Sequence, residues 1–356
     1  TSRTHTAVKI EPEYRGGPTV HVHDASRAVG VVGRLIDRDI RATFRGELQA
    51  EYEGLRERHA ARRAEAPLVR LDDARSRAVR LDAARRAPRP THPGRHRFDP
   101  IPLDALRPYI DWTPFLQAWE LRGAWPAILD DPRQGIEARR LVDDALGMLD
   151  TLVADGSLVA RAVVELFPAD ATGPDEITVW ADERRTDERA RLHFLRQQFA
   201  RSGDRPHRSL ADYLTGHDDG SGDWMGAFAI TAGLGLDPIV KAFEAAHDDY
   251  HAILAQALAD RLAEAGAEWL HREVRTRLWG YAEDEPFDPA ALVAEQFDGI
   301  RPAPGYPACP DHSEKATLFD LVDAPALGLA LTESFAMTPT ASVSGWYFAH
   351  PDAQYF

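Results

Sequence analysis

The sequence predicts an α+β fold: one large domain with an antiparallel or mixed sheet, long helices and an N-terminal helical linker. Strand patterns occur at residues 160–167, 176–180 and 225–231. Helical periodicity covers residues 37–66, 135–154 and 238–278. The strands and helices do not alternate regularly, as the repeated β-α units of a doubly wound parallel sheet would require, so α+β is favoured.

Composition limits the class of protein. The 356 residues are 44% hydrophobic and 28% charged, as in ordinary globular proteins. No apolar run approaches the roughly 18 residues that span a bilayer, and the N-terminus lacks the apolar core of a signal peptide. The single cysteine, Cys309, cannot form an internal disulfide or a thiolate zinc site alone. We therefore expect a cytoplasmic protein without a membrane partner, and the absence of an initial Met suggests a fragment of a longer chain.

The charge is unevenly distributed. The net charge of -15 argues against a nucleic-acid partner. Between Arg41 and Arg97, however, 15 Arg and no Lys stand against 8 acidic residues, a local balance of +7 that leaves -22 for the rest. This basic segment predicts either a docking surface for an acidic partner or Arg-rich helices that pair with their own acidic residues.

The N-terminal elements follow in order. Residues 19–22 predict a strand, and a helix follows to residue 36. Residues 37–66 predict a charged helix that Pro67 ends, with one apolar stripe of Phe44, Leu48, Tyr52 and Leu55. A second Arg-rich helix is expected at about 71–86. The Pro-rich residues 87–94 then mark the main boundary.

The body begins near Phe98. Residues 103–110 predict a short helix that Pro108 interrupts, and Thr113 is the expected N-cap of a helix that begins at Pro114 and runs to about residue 121. Residues 135–154 predict an amphipathic helix with a buried stripe of Ile136, Ala138, Leu141, Ala145, Leu149 and Leu152. The strands at 160–167 and 176–180 should form a hairpin.

The longest periodic segment is 238–278, which predicts a helix of roughly 60 Å if it is unbroken. Gly266 is the expected place for a bend. The predicted buried stripe consists of Ile239, Phe243, Ala246, Tyr250, Ile253, Ala257, Leu262, Ala265, Trp269 and Val274.

Three segments could carry chemistry. Glu244, His247 and His251 have the spacing of one half of a helical carboxylate–histidine metal site, so a metal-dependent enzyme is one hypothesis and a polar helix face is the other. The loop 301–310 contains four prolines, which exclude helix and central strand and favour either a rigid binding loop or a connector. Residues 338–355 predict a buried strand or, at Ser344 and Gly345, close approach of the backbone to a flat ligand.

Several motifs together resemble a known family. They are residues 109–115 (YIDWTPF), 243–250 (FEAAHDDY), 299–310 (GIRPAPGYPACP), 333–337 (ESFAM) and 344–348 (SGWYF). Over about residues 98–356 the chain resembles the activation domain of cobalamin-dependent methionine synthase. Residues 1–36 then look like the tail of the preceding cobalamin-binding domain, residues 37–97 like the linker, and residues 98–356 like the S-adenosylmethionine-binding domain.

The resemblance implies a site for S-adenosylmethionine. Asp111 matches the residue that takes the methionyl ammonium, and Arg301 matches the partner of the methionyl carboxylate. Tyr306 and Tyr355 match tyrosines near the ligand. The backbone from Gly305 to Ala308 is expected to contact adenine. Two further acids, Glu264 and Glu295, match acids near the site, and surface positions are the alternative for both.

The resemblance also implies an activity. S-adenosylmethionine would methylate the cobalamin of the same enzyme after reduction by flavodoxin or an equivalent donor, which makes the chain part of a methyltransferase in methionine biosynthesis. No catalytic side chain is expected. The chain lacks the Asp-x-His-x-x-Gly motif that supplies the lower cobalt ligand, so cobalamin should be held mainly by the preceding domain. A non-catalytic docking module for an electron-transfer protein is the remaining alternative.

Overall fold

The computed structural model describes residues 2–22, 25–65, 67–82, 85–201, 203–215 and 222–356. The chain forms two compact units. Unit 1 comprises residues 1–74 and 198–205, and unit 2 comprises residues 75–197 and 206–356.

Unit 1 is helical. Helix α1 (Arg3–His5) continues as a π-helical turn and is followed by α2 (Ala25–Ile36) and α3 (Arg41–Glu65). A small core joins Ala7 to Leu48 and Tyr52. The predicted helix and its apolar stripe are therefore confirmed in α3. The strand predicted at residues 19–22 is wrong: these residues are not part of a strand, and the His21 N–H donates to the Tyr52 hydroxyl at 3.0 Å.

The second Arg-rich helix is shorter than predicted. Helix α4 spans Leu71–Ser76. Beyond it the backbone is engaged elsewhere: the Arg77 carbonyl accepts from the His207 N–H at 2.9 Å, and the Val79 N–H donates to Asp212 Oδ2 at 3.3 Å. These contacts replace the hydrogen bonds that would continue a helix. Residues 83–84 of the predicted helix lie outside the described part of the chain.

Unit 2 is built on an antiparallel sheet. Its strands are β1 (Gly94–Ile101), β2 (Val159–Gly173), β3 (Glu176–Trp180), β4 (Glu188–His193), β5 (Asp223–Leu234) and β8 (Ser342–Tyr347). A separate two-stranded sheet consists of β6 (Ala330–Leu331) and β7 (Met337–Thr338). The order is β4-β3-β2-β5-β8, with β1 also paired to β2. The predicted hairpin is confirmed as β2 and β3, and the third strand as β5. The predicted boundary between residues 97 and 98 falls inside β1.

Helices cover the sheet. They are α5 (Leu103–Leu106), α6 (Trp112–Ala118), α7 (Gly135–Asp155), α8 (Leu236–Ala245), α9 (Asp249–Glu273), α10 (Pro289–Val293) and α11 (Glu314–Val322). Along β2, alternate residues such as Val164 and Leu166 pack with α5 to α9, while Val163 and Phe167 pack with α11. The sheet is thus buried on both faces, and the predicted α+β class is confirmed. No helix within the described ranges is long and apolar enough to cross a membrane.

Two details of the early helices differ from the prediction. Asp111, rather than Thr113, caps α6, because its Oδ1 accepts from the Thr113 N–H at 2.9 Å. The Thr113 hydroxyl is occupied elsewhere, accepting from the Trp125 N–H at 3.0 Å. Ile136 is 87% exposed in the first turn of α7, whereas the rest of the predicted stripe in that helix is buried.

The long periodic segment is two α-helices, the second of which continues as a π-helical turn, Val274–Leu278. It breaks between α8 and α9, where His247 has φ of 56° and Asp248 caps α9 by accepting from the His251 N–H at 3.1 Å. Gly266, the predicted place for a bend, lies within α9 and not at the break. Helix α9 continues through Gly266, where a Cβ would lie 2.5 Å from Ile230 Cδ1 of β5, so the glycine permits close packing on the sheet. The predicted stripe is buried at Leu262, Ala265 and Val274, but not at Ala246 or Ile253, because of the break.

Candidate functional site

The Pro-rich loop lies along the edge of β8. Ile300 and Phe348 exchange N–H···O hydrogen bonds of 2.9 and 3.0 Å, and the Pro302 carbonyl accepts from the Trp346 N–H at 2.9 Å. A proline carbonyl can accept although proline has no N–H to donate. A Cβ at Gly345 would lie 2.8 Å from the Pro302 carbonyl oxygen. The predicted close backbone approach at this glycine is therefore made by the loop itself.

The loop then folds back on itself. The Gly305 N–H donates to the Cys309 carbonyl at 2.7 Å, and the Cys309 N–H donates to the Tyr306 carbonyl at 2.9 Å. Gly305 has φ of 105°, and a Cβ there would lie 2.3 Å from the ring of His312. Since L side chains rarely adopt this conformation, glycine is needed for the turn.

A cavity of about 610 Å³ opens between this loop, α9 and the C-terminal residues. Its volume is in the range of small-molecule sites. It brings together six of the predicted site residues: Glu264, Glu295, Arg301, Tyr306, Ala308 and Tyr355. Of the other lining residues, Pro302, Ala303 and Pro307 belong to the predicted binding loop 301–310 and Val343 to the segment 338–355, whereas Phe356 was not predicted.

Two predicted residues do not line the cavity. Gly305 lies in the turn against His312. Asp111 is half-buried at the start of α6, where one carboxylate oxygen serves as the helix cap. Their predicted roles toward a ligand remain predictions.

Arg301 is held by contacts on both its side chain and its backbone. Its guanidinium forms an ion pair with Glu268 of α9, and its NH1 lies 3.3 Å from His271 Nδ1. Its backbone N–H donates to the Tyr355 hydroxyl at 2.9 Å. Burial, the largest single influence, lowers the pKa of Arg301, but the charge and hydrogen bond of Glu268 together with the nearby hydroxyls of Tyr355 and Tyr347 outweigh it, and the pKa is raised. Burial raises the pKa of Glu268, and Arg301 opposes that shift.

His271 lies behind Arg301. It is fully buried, stacks on the Tyr347 ring at 5.0 Å and meets the edge of the Phe297 ring at 5.2 Å. Burial, followed by the charges of Arg275 and Arg301, holds the pKa of His271 well below its ordinary value. The imidazole is therefore neutral at physiological pH. Because a guanidinium can only donate, Nδ1 accepts from Arg301.

Glu268 and His271 belong to a stripe of polar residues on α9 and on the π-helical turn Val274–Leu278 that continues it. The stripe consists of Glu264, Glu268, His271 and Arg275, at helical spacings of four, three and four. Arg275 is fully buried, forms a bidentate ion pair with Glu285 at 2.6 and 2.7 Å, and lies 3.9 Å over the Phe297 ring. Sequence reasoning selected only Glu264 from this stripe, and the polar spacing was the signal it overlooked.

The cavity combines one guanidinium with two carboxylates. Glu295 follows α10 with φ of 52°, in the left-handed region that glycine usually occupies. A non-glycine residue held in this conformation is enriched at functional sites. The charges of Glu264, Glu295 and Arg301 suit a ligand that carries two cations and one carboxylate.

The predicted metal site is not formed. Glu244 lies at the end of α8, beyond the helix break from His251, whose Nδ1 contacts Asp248 Oδ2 at 2.7 Å. In the part of the chain that the structure describes, no group of three His, Cys, Asp or Glu residues is placed to hold a metal ion. The hypothesis of a metal-dependent enzyme on these residues is therefore wrong.

Comparison with known proteins identifies the family. Residues 102–356 match the family model described as vitamin B12 dependent methionine synthase, activation domain. The chain belongs to this activation-domain family. Among solved structures, this activation domain is similar to the MetH reactivation domain in its crystal structure bound to AdoHcy. The two are 48% identical with a TM-score of 0.79, and the match covers 82% of this chain and 89% of the other.

The buried His271 predicts a pH dependence of stability. Its pKa is lowered in the folded state from about 6.5 when unfolded, so the unfolded chain takes up the proton first as pH falls. The free energy of unfolding should therefore decrease below pH 6.5, by up to about 1.4 kcal/mol per pH unit from this residue. Urea unfolding from pH 5 to 8 should show a shallower decrease in His271→Gln. The control variant His193→Gln changes an exposed histidine and should keep the wild-type dependence of the unfolding free energy on pH. The same dependence in His271→Gln as in the wild type would contradict a lowered pKa of His271.

Proposed function

We propose that this activation domain binds S-adenosylmethionine in the cavity around Arg301 and holds its methyl group for reductive methylation of the enzyme's cobalamin. The observation that carries the proposal is the meeting of Arg301 with Glu264 and Glu295 in one cavity. At neutral pH S-adenosylmethionine has an ammonium, a sulfonium and a carboxylate. Its charges therefore complement those of the cavity.

Each group of the ligand has a proposed partner. Arg301 pairs with the methionyl carboxylate, for which a guanidinium has matching geometry. Glu264 and Glu295 face the cationic part of the ligand in the cavity. The second oxygen of Asp111, which lies outside the cavity lining, is proposed to take the ammonium where the ligand extends toward the start of α6. Tyr306, Tyr355 and the backbone from Gly305 to Ala308 contact the adenosyl group.

The chain's chemical task is orientation. When bound, S-adenosylmethionine supplies a methyl group on a sulfonium that is already activated toward a nucleophile, so no general base is needed. The residues of the cavity fix the ligand by its carboxylate and ring, which converts a bimolecular encounter into an aligned one. In this way the domain contributes the reactivation step to a methyltransferase.

The proposal does not assign cobalamin to this chain. The sequence has no Asp-x-His-x-x-Gly motif, and no cluster of metal-ligating side chains is formed within the described ranges. The partner proposed to present the cobalamin is the preceding domain of the same enzyme.

A reductase is a further proposed partner. In unit 2, several arginines of the basic segment form ion pairs with acidic residues outside the segment, and not with the segment's own acids as the self-pairing alternative expected: Arg75 with Asp175, Arg89 with Glu183, Arg95 with Glu165 and Arg97 with Asp323. These pairs reduce the positive charge that the segment offers to an acidic protein. Docking of an acidic protein on the segment therefore depends on the electrostatic potential that remains after these ion pairs, and not on the number of arginines.

Loss of Arg301 should weaken ligand binding. Arg301→Ala is expected to reduce the affinity for S-adenosylmethionine by about 2 kcal/mol or more, because a desolvated charge pair is lost. Isothermal titration calorimetry measures this. Arg277→Ala is the matched control, since Arg277 pairs with Glu273 on the surface. Unchanged affinity in Arg301→Ala would rule out the assignment.

The two roles of Asp111 can be separated. Asp111→Asn keeps an oxygen for the helix cap but removes the charge, so it should weaken S-adenosylmethionine binding with little change in stability. Asp111→Ala should in addition lower the free energy of unfolding by about 1 kcal/mol through loss of the cap. Calorimetry and urea unfolding measure the two effects. Wild-type affinity in Asp111→Asn would leave Asp111 with the capping role alone.

Binding of an electron donor should depend on salt. If an acidic flavodoxin-type protein docks on the basic segment, its affinity should fall as ionic strength rises from about 0.01 to 0.15 M, where screening shortens from about 30 to 8 Å. Surface plasmon resonance with immobilised flavodoxin measures this. Binding that is insensitive to salt would exclude the basic segment as its site.

A further inference from the structure

We propose that Glu268 is the positioning residue of the carboxylate subsite. In this role Glu268 holds the Arg301 guanidinium from behind, so that its free N–H groups face the cavity. The inference rests on the proposed function, because the ligand carboxylate is the one bound by Arg301.

Glu268 contacts Arg301 from outside the cavity. One oxygen, Oε1, accepts from Arg301 NH2, and Glu268 does not line the cavity, whereas Arg301 does. The two side chains are 17% and 16% exposed. A ligand in the cavity therefore meets the guanidinium on a side different from that of Glu268. Glu268 in this arrangement orients Arg301 and does not compete with the ligand carboxylate for the same N–H groups.

His271 provides a second point of attachment. Its Nδ1 accepts from Arg301 NH1, while Glu268 accepts from NH2. Both acceptors come from adjacent turns of α9, and each terminal nitrogen of a guanidinium carries a second hydrogen. Two attachments fix the plane of the guanidinium as well as its position. The second hydrogens of NH1 and NH2 therefore already point toward the cavity. Arg301 then loses little further side-chain freedom when a ligand binds, which favours binding.

The ion pair also stabilises the buried, charged guanidinium of Arg301 when no anionic ligand is bound. Moving an isolated charge away from water is unfavourable unless an opposite charge accompanies it. Arg275, in the π-helical turn that continues α9, pairs with its own carboxylate in Glu285, so Glu268 is the acid that pairs with Arg301. With Glu268 ionised, Arg301 stays charged and in place before the ligand arrives.

The test compares two ligands in one variant. Glu268→Gln keeps the size and an oxygen acceptor but weakens the hold on Arg301. The ligands are S-adenosylmethionine and its decarboxylated analogue, which retains the ammonium and the sulfonium but has no group for Arg301. Isothermal titration calorimetry on the full chain gives the ratio of their affinities. We expect Glu268→Gln to lower the preference for S-adenosylmethionine by about tenfold, the effect of losing the geometry of one charge-assisted hydrogen bond.

Each outcome has a distinct meaning. Equal loss for both ligands would overturn the proposal, because it indicates a merely structural role. Tighter binding of S-adenosylmethionine would also overturn it, because Glu268 would then be a competitor. Glu273→Gln, which alters a surface pair on the same helix, should leave the ratio unchanged. If the wild-type chain binds neither ligand, the proposed function itself fails.

A second pair of variants covers the case in which Glu268→Gln does not fold. His271→Asn places an oxygen acceptor where Nδ1 lies, and His271→Leu removes the acceptor. The positioning account expects His271→Asn to keep the ligand preference and His271→Leu to lower it. The same preference in His271→Leu as in the wild type would overturn the account.

Discussion

Burial of the Arg301 guanidinium determines how the cavity is built. A charge removed from water needs partners close by, and here they come from one helix. Glu268 and His271 reach Arg301 only because α9 lies close against the sheet, and Gly266 allows that approach by leaving room for Ile230. The contact of α9 with the sheet at Gly266 thus both buries the apolar face of the helix and places Glu268 and His271 next to Arg301.

The other side of the cavity depends on the edge of the sheet. Strand β8 is buried, and the Pro-rich loop pairs with its edge through the Pro302 carbonyl and the backbone of Ile300. Gly345 lets the loop approach, and Gly305 lets it turn back. The prolines limit the conformations that the free loop can adopt, so less freedom is lost in holding it. A rigid loop and a rigid helix therefore face each other across the cavity.

The sequence predicted the parts of the fold that local patterns determine. The helix 135–154 and the β2–β3 hairpin follow from uninterrupted periodicity and from a turn, and both are observed. The break before α9 was not predictable from periodicity, because apolar spacing continues across it and His247, not glycine, takes the positive φ. Likewise Asp111 and Thr113 are both good caps, and the choice depends on Trp125, which is remote in sequence.

The candidate site was predictable to a similar extent. Arg301 and its loop stand out because four prolines and an arginine together are unusual in a globular chain. Glu268 does not stand out, since an acid on a charged helix is ordinary and its importance comes from a partner 33 residues away. His271 is similar: it is one of 14 histidines, and its contact with the Arg301 guanidinium, 30 residues away, distinguishes it.

The most direct test of this account is the position of the ligand carboxylate in a crystal structure of the chain with S-adenosylmethionine. The account predicts that the carboxylate oxygens lie about 2.7–2.9 Å from Arg301 nitrogens, as in charge-assisted pairs. It also predicts that Glu268 and His271 still contact the opposite side of the guanidinium. A carboxylate bound elsewhere, or an Arg301 that has left Glu268 to reach the ligand, would contradict it.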